Sequence, residues 1–264
     1  MARQDGRVAL VLGASAGLGR AVAEKLALEG ARVAMGSRTM ERVREAARAI
    51  EGKGGTVLPL QADVSRGEDI QKAVEAAVGQ WGRLDILFFN SGGPRPGNFF
   101  DLSEEDWRQG EDLTLMGFVR SVRAAYPHLK KAATPEVPAH IGVIVSSSVK
   151  EGIDHLTLSN VYRPAIAALV KELARTLGPE HILVNAFAPG RFATQRVEEL
   201  DKETARRRGI SVEEARQVSV SRIPLGRYGD PSELARVAAF FLSPDNTYVT
   251  GQTIFVDGGL VRAL

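Results

Sequence analysis

The chain has 264 residues, of which 44% are hydrophobic and 25% are charged, and it contains no cysteine. These values are ordinary for a globular protein, and the length fits one α/β domain. The lack of cysteine excludes disulfides and thiolate nucleophiles, and the four histidines show no metal-ligand spacing, so no metal site is predicted. No apolar run is long enough for a membrane span or a signal peptide, which predicts a soluble cytoplasmic protein.

The charge balance gives a weak signal. The formal net charge is +2 and the sequence pI is about 9.0, with arginine carrying most of the positive charge. This pattern fits either anion-binding sites or an arginine-rich, ion-paired surface, and we favour the surface. The segment ARRRG is typical of a solvated face rather than of a nucleic-acid site, so no nucleic-acid partner is predicted.

Short apolar segments alternate with amphipathic helical segments along the whole chain. The predicted strands cover residues 7–13, 31–37, 56–63, 84–90, 140–147, 182–189 and 252–257. One intervening helix places four apolar side chains on one face: Val43, Ala46, Ala47 and Ile50. The next helix opens with Ser65 and Glu68 at the spacing of a capping box. The alternation predicts a doubly wound parallel sheet of about seven strands, a Rossmann fold with helices on both faces.

The first strand, turn and helix carry the strongest local signal. The strand ends at Gly13, and Gly17 and Gly19 follow at the start of a helix. Glycines at these positions let the backbone approach a pyrophosphate, and the helix N-terminus supplies free N–H groups. Because the next strand follows at the expected distance, the pattern predicts a dinucleotide site.

The end of the second predicted strand indicates which dinucleotide is bound. An NAD site usually has an acidic residue there to hold the ribose 2′-hydroxyl, but this chain has Ser37 and Arg38. Arginine pairs with the 2′-phosphate of NADP. We therefore predict NADP, with NAD as the less favoured cofactor.

The segment from about 191 to 225 is the least regular part of the chain. It is polar and charged, and it directly follows a predicted strand. Ligands of doubly wound sheets bind at the carboxyl ends of the strands, so we predict a lid over the site within a single domain of residues 1–264. The alternative is a solvated surface excursion.

Several segments, in this order, resemble the short-chain dehydrogenase/reductase family. They are GASAGLG (13–19), ADV (62–64), NSGG (90–93), SSS (146–148), NAFAPG (185–190) and VDGG (256–259). The resemblance implies a Rossmann fold, a nicotinamide cofactor, carbonyl–alcohol interconversion on a small molecule and a homo-oligomer, either a dimer or a tetramer. With Ser37 and Arg38, the implied cofactor residues are Gly13, Ser15, Gly17, Leu18, Gly19, Asp63, Val64, Asn90, Gly92, Pro189, Gly190 and Thr194.

The catalytic residues of the resemblance are only partly present. In the family a tyrosine follows the catalytic serine by about thirteen residues, and a lysine follows the tyrosine by four. Counting from Ser146 gives Ser159 and Arg163, so serine replaces the tyrosine and arginine the lysine. An aliphatic hydroxyl is a poor general acid, and arginine does not release its proton. We expect Ser146 to polarise the carbonyl and Arg163 to hold the cofactor ribose, with an oxyanion as the alternative partner of Arg163.

The proton donor is left open between Tyr162, Lys150 and water. Tyr162 lies one helical turn from Ser159, although Pro164 weakens the spacing argument, and a packing role for Tyr162 is favoured. Lys150 and His155 follow the serine strand, and Arg95 lies in a loop where an acidic substrate would be met. A family asparagine corresponds here to Thr114. Two functions stay open: an NADP-dependent oxidoreductase, which we favour, and a dinucleotide-binding sensor or structural subunit without turnover.

Overall fold

Seven parallel strands form one sheet in the computed structural model, which describes residues 3–263. The strands are β1 (Val8–Leu12), β2 (Arg32–Ser37), β3 (Thr56–Gln61), β4 (Ile86–Phe89), β5 (Ala139–Ile144), β6 (Ile182–Pro189) and β7 (Thr253–Val256). The helices are α1 (Gly17–Leu28), α2 (Met40–Glu51), α3 (Gly67–Trp81), α4 (Glu104–Glu111), α5 (Gly117–Ala132), α6 (Thr157–Leu177), α7 (Gln195–Arg208), α8 (Val212–Val220) and α9 (Pro231–Phe241). A π-helical turn, Asp112–Met116, joins α4 to α5.

The strand order is β3-β2-β1-β4-β5-β6-β7, and every neighbouring pair is parallel. The chain therefore moves outward from β1 to β3 and then returns to β4 on the other side of β1. In such a sheet the ligand crevice opens at the carboxyl ends of the strands beside this reversal. The predicted doubly wound fold is confirmed, and each predicted strand is found with its ends shifted by a few residues at most.

Two apolar clusters cover the two faces of the sheet. The central strand β1 is completely buried, and successive side chains of β4 enter opposite clusters, with Phe88 on one face and Phe89 on the other. This period of two is the geometry of a strand covered on both sides by helices. Among residues 3–263 no helix is both long and apolar enough to cross a bilayer.

Local patterns were predicted with mixed success. The apolar stripe of α2, including Val43 and Ile50, is buried as expected. The capping box at Ser65 was wrong, since α3 begins at Gly67 after Arg66. The Ser65 hydroxyl instead donates to Asp63 Oδ1 at 2.8 Å. A carboxylate two residues earlier thus competes successfully for the capping hydroxyl.

The amino-terminal edge of the sheet holds a buried polar cluster around Arg7. Its guanidinium donates to Leu242 O at 2.5 Å, at the carboxyl end of α9, and to Pro138 O at 3.1 Å. It also donates to His140 Nδ1 at 2.9 Å. Because arginine only donates, this bond makes Nδ1 an acceptor, and Nε2–H of His140 then donates to Asn246 O at 3.0 Å. The cluster joins the sheet to α9 far from the strands' carboxyl ends.

Candidate active site

A cavity of about 900 Å³ lies at the carboxyl edge of the sheet. Its walls come from the loops after β1 to β6, from α6, α7 and α8, and from the C-terminal segment. This volume is at the upper end of the range of about 300–1,000 Å³ for small-molecule sites. The fold thus brings distant segments of the sequence to one elongated site.

The glycine-rich loop is shaped by contacts that exclude larger residues. Gly13 has φ of +66°, and a Cβ there would lie 2.2 Å from the carbonyl oxygen of Asn90. Asn90 Nδ2 donates to Gly13 O at 3.0 Å and so ties the loop to β4. A Cβ on Gly19 would lie 2.2 Å from Gly13 O, so Gly19 lets α1 pack closely. Gly17 and Leu18, in the first turn of α1, then present free N–H groups at the cavity.

The end of β2 lines the part of this cavity where the adenosine is predicted. The Ser37 hydroxyl donates to Ser15 Oγ at 2.8 Å, and both residues line the cavity. Arg38 lines it too, together with Arg42 from the first turn of α2. Arg42 was missed from the sequence, although its position four residues after Arg38 was a signal for it. Two arginines therefore lie where a 2′-phosphate is expected.

Two neighbouring residues in the loop after β3, Val64 and Asp63, have different roles. Val64 lines the cavity, as predicted. Asp63 does not, because its carboxylate accepts from the backbone N–H and the hydroxyl of Ser65 at 3.0 and 2.8 Å. Asp63 therefore shapes the loop from behind, and its role towards adenine stays a prediction.

The loops after β4 and β6 form the opposite half of the cavity. Asn90, Gly92, Pro189 and Gly190 line it. A Cβ on Gly190 would lie 2.8 Å from the Asp257 backbone, so the loop passes close to the end of β7. Thr194 is the N-cap of α7, where its hydroxyl accepts from Val197 N at 3.4 Å. This arrangement holds the start of the predicted lid against the glycine-rich loop.

Three predicted catalytic residues face the cavity together: Ser146, Ser159 and Arg163. Ser146 Oγ accepts from Ser148 N at 3.1 Å, which leaves its proton free to donate. Helix α6 begins at Thr157 and continues through Pro164. The four-residue spacing from Ser159 to Arg163 is therefore helical, and both side chains lie on one face.

Arg163 is a buried cation without a carboxylate partner among residues 3–263. It is 4% exposed and donates to Ile144 O at 2.7 Å and to Ser91 Oγ at 3.2 Å. Burial, and secondly the charge of Arg196, lower the pKa of Arg163 to about 10. The pKa of Arg196 is itself lowered, chiefly by burial. Two guanidinium groups thus share a partly dehydrated site, which favours an anion nearby.

Tyr162 faces away from the cavity. Its hydroxyl donates to Trp107 O at 2.9 Å, and its ring meets the Trp107 ring edge to face at 6.0 Å. Burial, and secondly the charge of Glu111, raise the pKa of Tyr162. A raised pKa and an engaged hydroxyl fit the packing role and not that of a proton donor.

The other candidate proton donors, Lys150 and His155, do not line the cavity either. Lys150 is exposed, and His155 forms the turn where Gly97 N donates to its carbonyl oxygen at 2.8 Å. Thr114 is fully buried, and its hydroxyl donates to Gly110 O at 2.5 Å within the helix. Arg95 does line the cavity, but it pairs with Asp106 at 2.6 Å. Among residues 3–263, the lining contains no tyrosine, lysine or histidine.

The segment predicted as a lid contains two helices, α7 and α8, that line this cavity, and its role as a lid stays a prediction. Leu200 and Thr204 of α7 and Val218 and Ser219 of α8 face into it. Sequence reasoning missed several arginines that this arrangement also turns inward: Arg191, Arg196, Arg207, Arg208, Arg222 and Arg262. Arg207 and Arg208 belong to the ARRRG segment, which we interpreted as a solvated face; both are exposed and both also line the cavity. For the other four, the only sequence signal was the excess of arginine over lysine.

Comparison with known proteins agrees with the sheet and the site. Residues 13–261 match the protein family described as enoyl-(acyl carrier protein) reductase. The chain is 33% identical to the 3-oxoacyl-(acyl-carrier-protein) reductase FabG of Thermotoga maritima, over 98% of this chain and 99% of that protein. The L-sorbose reductase of Gluconobacter frateurii, solved with NADPH and L-sorbose, superposes with a TM-score of 0.92 and 30% identity, over all of both chains.

A second solved structure, actinorhodin polyketide ketoreductase with NADPH, gives the same TM-score of 0.92 at 30% identity, over 98% of this chain and 99% of that one. The relatives named here are reductases, and both solved structures hold NADPH, which agrees with the predicted cofactor. Together with the strand order and the glycine-rich loop, these matches show that the chain belongs to the short-chain dehydrogenase/reductase family of oxidoreductases.

Proposed function

We propose that this protein is an NADP-dependent oxidoreductase that interconverts a carbonyl and an alcohol on a small substrate, such as a 3-oxoacyl thioester, a ketone or a polyol. The observation that carries the proposal is the shared cavity. Ser146, Ser159 and Arg163 face the same space as the glycine-rich loop and the N-cap Thr194. A cofactor held at the loop would thus present its reactive end to hydroxyl and guanidinium donors.

The residues present fit NADP. The backbone around Gly17 and Leu18 suits a diphosphate, and Arg38 with Arg42 suits a 2′-phosphate. Gly92, Gly190 and Thr194 surround the far end. When bound, the nicotinamide supplies or accepts the hydride, and the protein supplies position and electrostatic field.

The hydroxyl of Ser146 is assigned to the carbonyl oxygen of the substrate. Its oxygen already accepts from Ser148 N, so its proton is directed towards another acceptor. Arg163 lies in the same wall and stabilises the negative charge that develops on that oxygen. Fixed donors of this kind act without rearrangement, because Arg163 is itself held by Ile144 O and Ser91 Oγ.

The proton for the new alcohol is assigned to water. The hydroxyls of Ser146 and Ser159 are weak acids, and the guanidinium of Arg163 keeps its proton near neutral pH even with its pKa at about 10. Water entering the open cavity donates a proton to the oxyanion and leaves as hydroxide, which balances the reduction. Tyr162 takes no part, since its hydroxyl is engaged with Trp107 O.

The lack of a general acid in the cavity lining favours a second candidate, a dinucleotide-binding sensor or structural subunit without turnover. The lining, over residues 3–263, offers no tyrosine, lysine or histidine as a general acid. General acid catalysis contributes roughly 10²- to 10⁴-fold, so a protein without it turns over slowly or not at all. Tight NADPH binding without turnover on any carbonyl would identify this candidate.

The deciding experiment measures NADPH oxidation against ketones, aldehydes, ketoses and 3-oxoacyl thioesters. We expect turnover on at least one class, with Ser146→Ala lowering kcat by about 100-fold because the carbonyl loses a fixed donor. Fluorescence titration with NADPH provides the control, since Ser146→Ala should leave that affinity within about twofold. Turnover unchanged in Ser146→Ala would contradict the proposed mechanism.

Cofactor choice is tested separately at the end of β2. Arg38→Ala should weaken NADPH binding by about 10- to 100-fold and NADH binding by less than twofold, because only NADPH has the 2′-phosphate. Arg44→Ala, also on α2 but outside the cavity lining, is the matched control. Equal losses for the two cofactors would refute the phosphate assignment.

We also propose that the protein works in the cytoplasm as a homotetramer or dimer, as the family resemblance predicts. Light scattering coupled to gel filtration tests the assembly. A monomer at micromolar concentration would refute that part of the proposal.

A further inference from the structure

The cavity has a charge balance unlike that of the whole chain. The chain carries 34 basic and 32 acidic residues, whereas the cavity lining contains ten arginines and three acidic residues. The arginines beyond the adenosine side are Arg95, Arg163, Arg191, Arg196, Arg207, Arg208, Arg222 and Arg262. Positive charge is therefore concentrated around the cavity and is not spread evenly over the chain.

The inner arginines have identifiable partners. Arg95 pairs with Asp106 at 2.6 Å, and Arg191 lies 3.5 Å from Asp201. Arg196 lies 4.0 Å from Glu199 and donates to Pro94 O at 3.3 Å. Arg163 is already assigned to the developing oxyanion, and Arg196 is the neighbouring charge that acts on it, so neither calls for a further anion.

Four outer arginines have no such explanation: Arg207, Arg208, Arg222 and Arg262. Within residues 3–263, no carboxylate lies within 4.0 Å of any of their guanidinium groups. Arg207 lies eleven residues after Arg196 on α7, or about 16 Å along the helix axis. Arg207 is therefore about three helical turns further along α7 than Arg196, which donates to Pro94 O in the loop after β4.

The acidic residues of the lining do not offset these charges. Glu151 Oε1 accepts from Arg262 N and Ala263 N, both at 2.7 Å, and so holds the C-terminal segment against the cavity. Glu199 is the 4.0 Å neighbour of Arg196. Asp154, which is exposed, is the remaining acid among the lining residues in the described range.

Helix dipoles explain only part of this arrangement. Cations are favourable near a helix C-terminus, and Arg206, Arg207 and Arg208 all lie in the last turn of α7. Arg206, however, is outside the cavity lining and pairs with Glu203, whereas Arg207 and Arg208 are exposed residues that belong to the lining. Arg262 belongs to the segment after β7, outside any helix, yet it lines the same space.

We propose that the substrate is an anion, a carbonyl compound or its alcohol with a phosphate or carboxylate group held by Arg207, Arg208, Arg222 and Arg262. These four residues are specificity-determining residues and do not touch the reacting atoms. The inference rests on the proposed function, since it names the substrate class of that site. Guanidinium groups bind phosphates and carboxylates through paired hydrogen bonds, which makes an arginine cluster selective for them.

The test compares substrates that share a carbonyl and differ in charge. Fructose is paired with fructose 6-phosphate and with 5-ketogluconate, and the acetoacetyl thioester of N-acetylcysteamine is paired with acetoacetyl-CoA. We expect kcat/KM for the preferred anionic member to exceed that of its neutral partner by about 10- to 100-fold, mainly through KM. The three anionic compounds distinguish a sugar phosphate, a sugar acid and a phosphate-bearing thioester.

Variants of the outer arginines test which residues produce the preference for anionic substrates. The double variant Arg207→Gln with Arg208→Gln should bring the two members of the preferred pair to within about threefold, and the corresponding double lysine variant should recover much of the preference. Arg206→Gln, in the same helical turn but outside the lining, is the matched control and should leave the preference unchanged. A preference unaffected by the double glutamine variant would overturn the residue assignment.

Binding measurements distinguish a failure of this inference from a failure of the proposed function. Calorimetry on the protein loaded with NADP⁺ measures affinity for the same ketones without turnover. If turnover is absent but the anionic member binds about 10-fold more tightly, the site is an anion site and only the proposed reaction fails. If turnover is present and both members of every pair behave alike, the proposed reaction stands and the anionic substrate is refuted. If turnover is absent and the pairs also bind alike, both are refuted.

Discussion

Arg7 and Arg163 are two buried arginines at opposite edges of the same sheet. Each is 4% exposed, and burial is the main cause that lowers the pKa of each to about 10. The second cause of the pKa shift differs between the two arginines. The carboxylate of Asp85 raises the pKa of Arg7, whereas the charge of Arg196 lowers the pKa of Arg163 further.

The difference distinguishes a structural cation, Arg7, from Arg163, to which we assign a role in the proposed reaction. Arg7 donates to several carbonyls and to His140, and it joins the sheet to α9. Arg163 opens onto a cavity and has a second cation as its neighbour. A buried charge that its own protein leaves unbalanced beside a cavity is the arrangement expected where a ligand completes the site.

Replacing Arg7 should produce the largest loss of stability. Arg7→Met leaves Leu242 O, Pro138 O and the ring of His140 without their donor, which should lower the free energy of unfolding by about 3–5 kcal/mol. Urea denaturation followed by circular dichroism measures the change. Arg83→Met is the control, because Arg83 is about half exposed beside Asp85 and should cost about 1 kcal/mol or less.

Replacing Arg163, at the cavity, should lower turnover strongly and stability only slightly. Arg163→Met removes an unbalanced buried cation, and water from the cavity can reach Ile144 O, so the free energy of unfolding should fall by no more than about 1 kcal/mol. Turnover should fall by about 100-fold, because the oxyanion loses its fixed donor. If Arg163→Met destabilised the fold as much as Arg7→Met, the distinction between the two arginines would be lost.

A smaller effect is expected from pH at the structural edge. Burial, and secondly the charge of Arg7, lower the pKa of His140 to about 3 from its ordinary 6.5. The unfolded chain therefore binds a proton below pH 6.5 that the folded chain rejects, and stability falls as the pH falls. The slope approaches about 1.4 kcal/mol per pH unit, which gives roughly 2 kcal/mol between pH 6.5 and 5.

This pH dependence is measured by urea denaturation at several pH values. Between pH 6.5 and 5 the group that titrates is His140 of the unfolded chain, and this window lies above the ordinary pKa values of carboxylates, about 4. His140→Gln keeps an acceptor for Arg7 and should flatten the profile there. Stability that stayed constant in the wild-type protein across this window would refute the neutral His140.

The two edges also differ in how far the sequence predicts them. Strand β1 and the glycine-rich loop were predicted because their signal is local: a run of apolar residues, then Gly13, Gly17 and Gly19 before a helix. The bonds from Arg7 to residues 131–235 positions away have no local pattern. The residues of α7 and α8 that line the cavity could not be predicted for a related reason. The sequence does not distinguish Arg206 from Arg207 until the position of α7 beside the cavity is known.

Tyr162 shows the same limit within a single helix, and its replacement should have the smallest effect. Helix α6 turns Ser159 and Arg163 to the cavity and Tyr162 towards Trp107, a choice that spacing alone did not fix. Tyr162→Phe keeps the ring contact but removes the hydrogen bond to Trp107 O, which should cost about 1 kcal/mol of stability. Turnover should stay within about twofold at every pH from 6 to 9. A loss of about 100-fold would show that the tyrosine leaves Trp107 to donate a proton, and it would remove the need for water in that role.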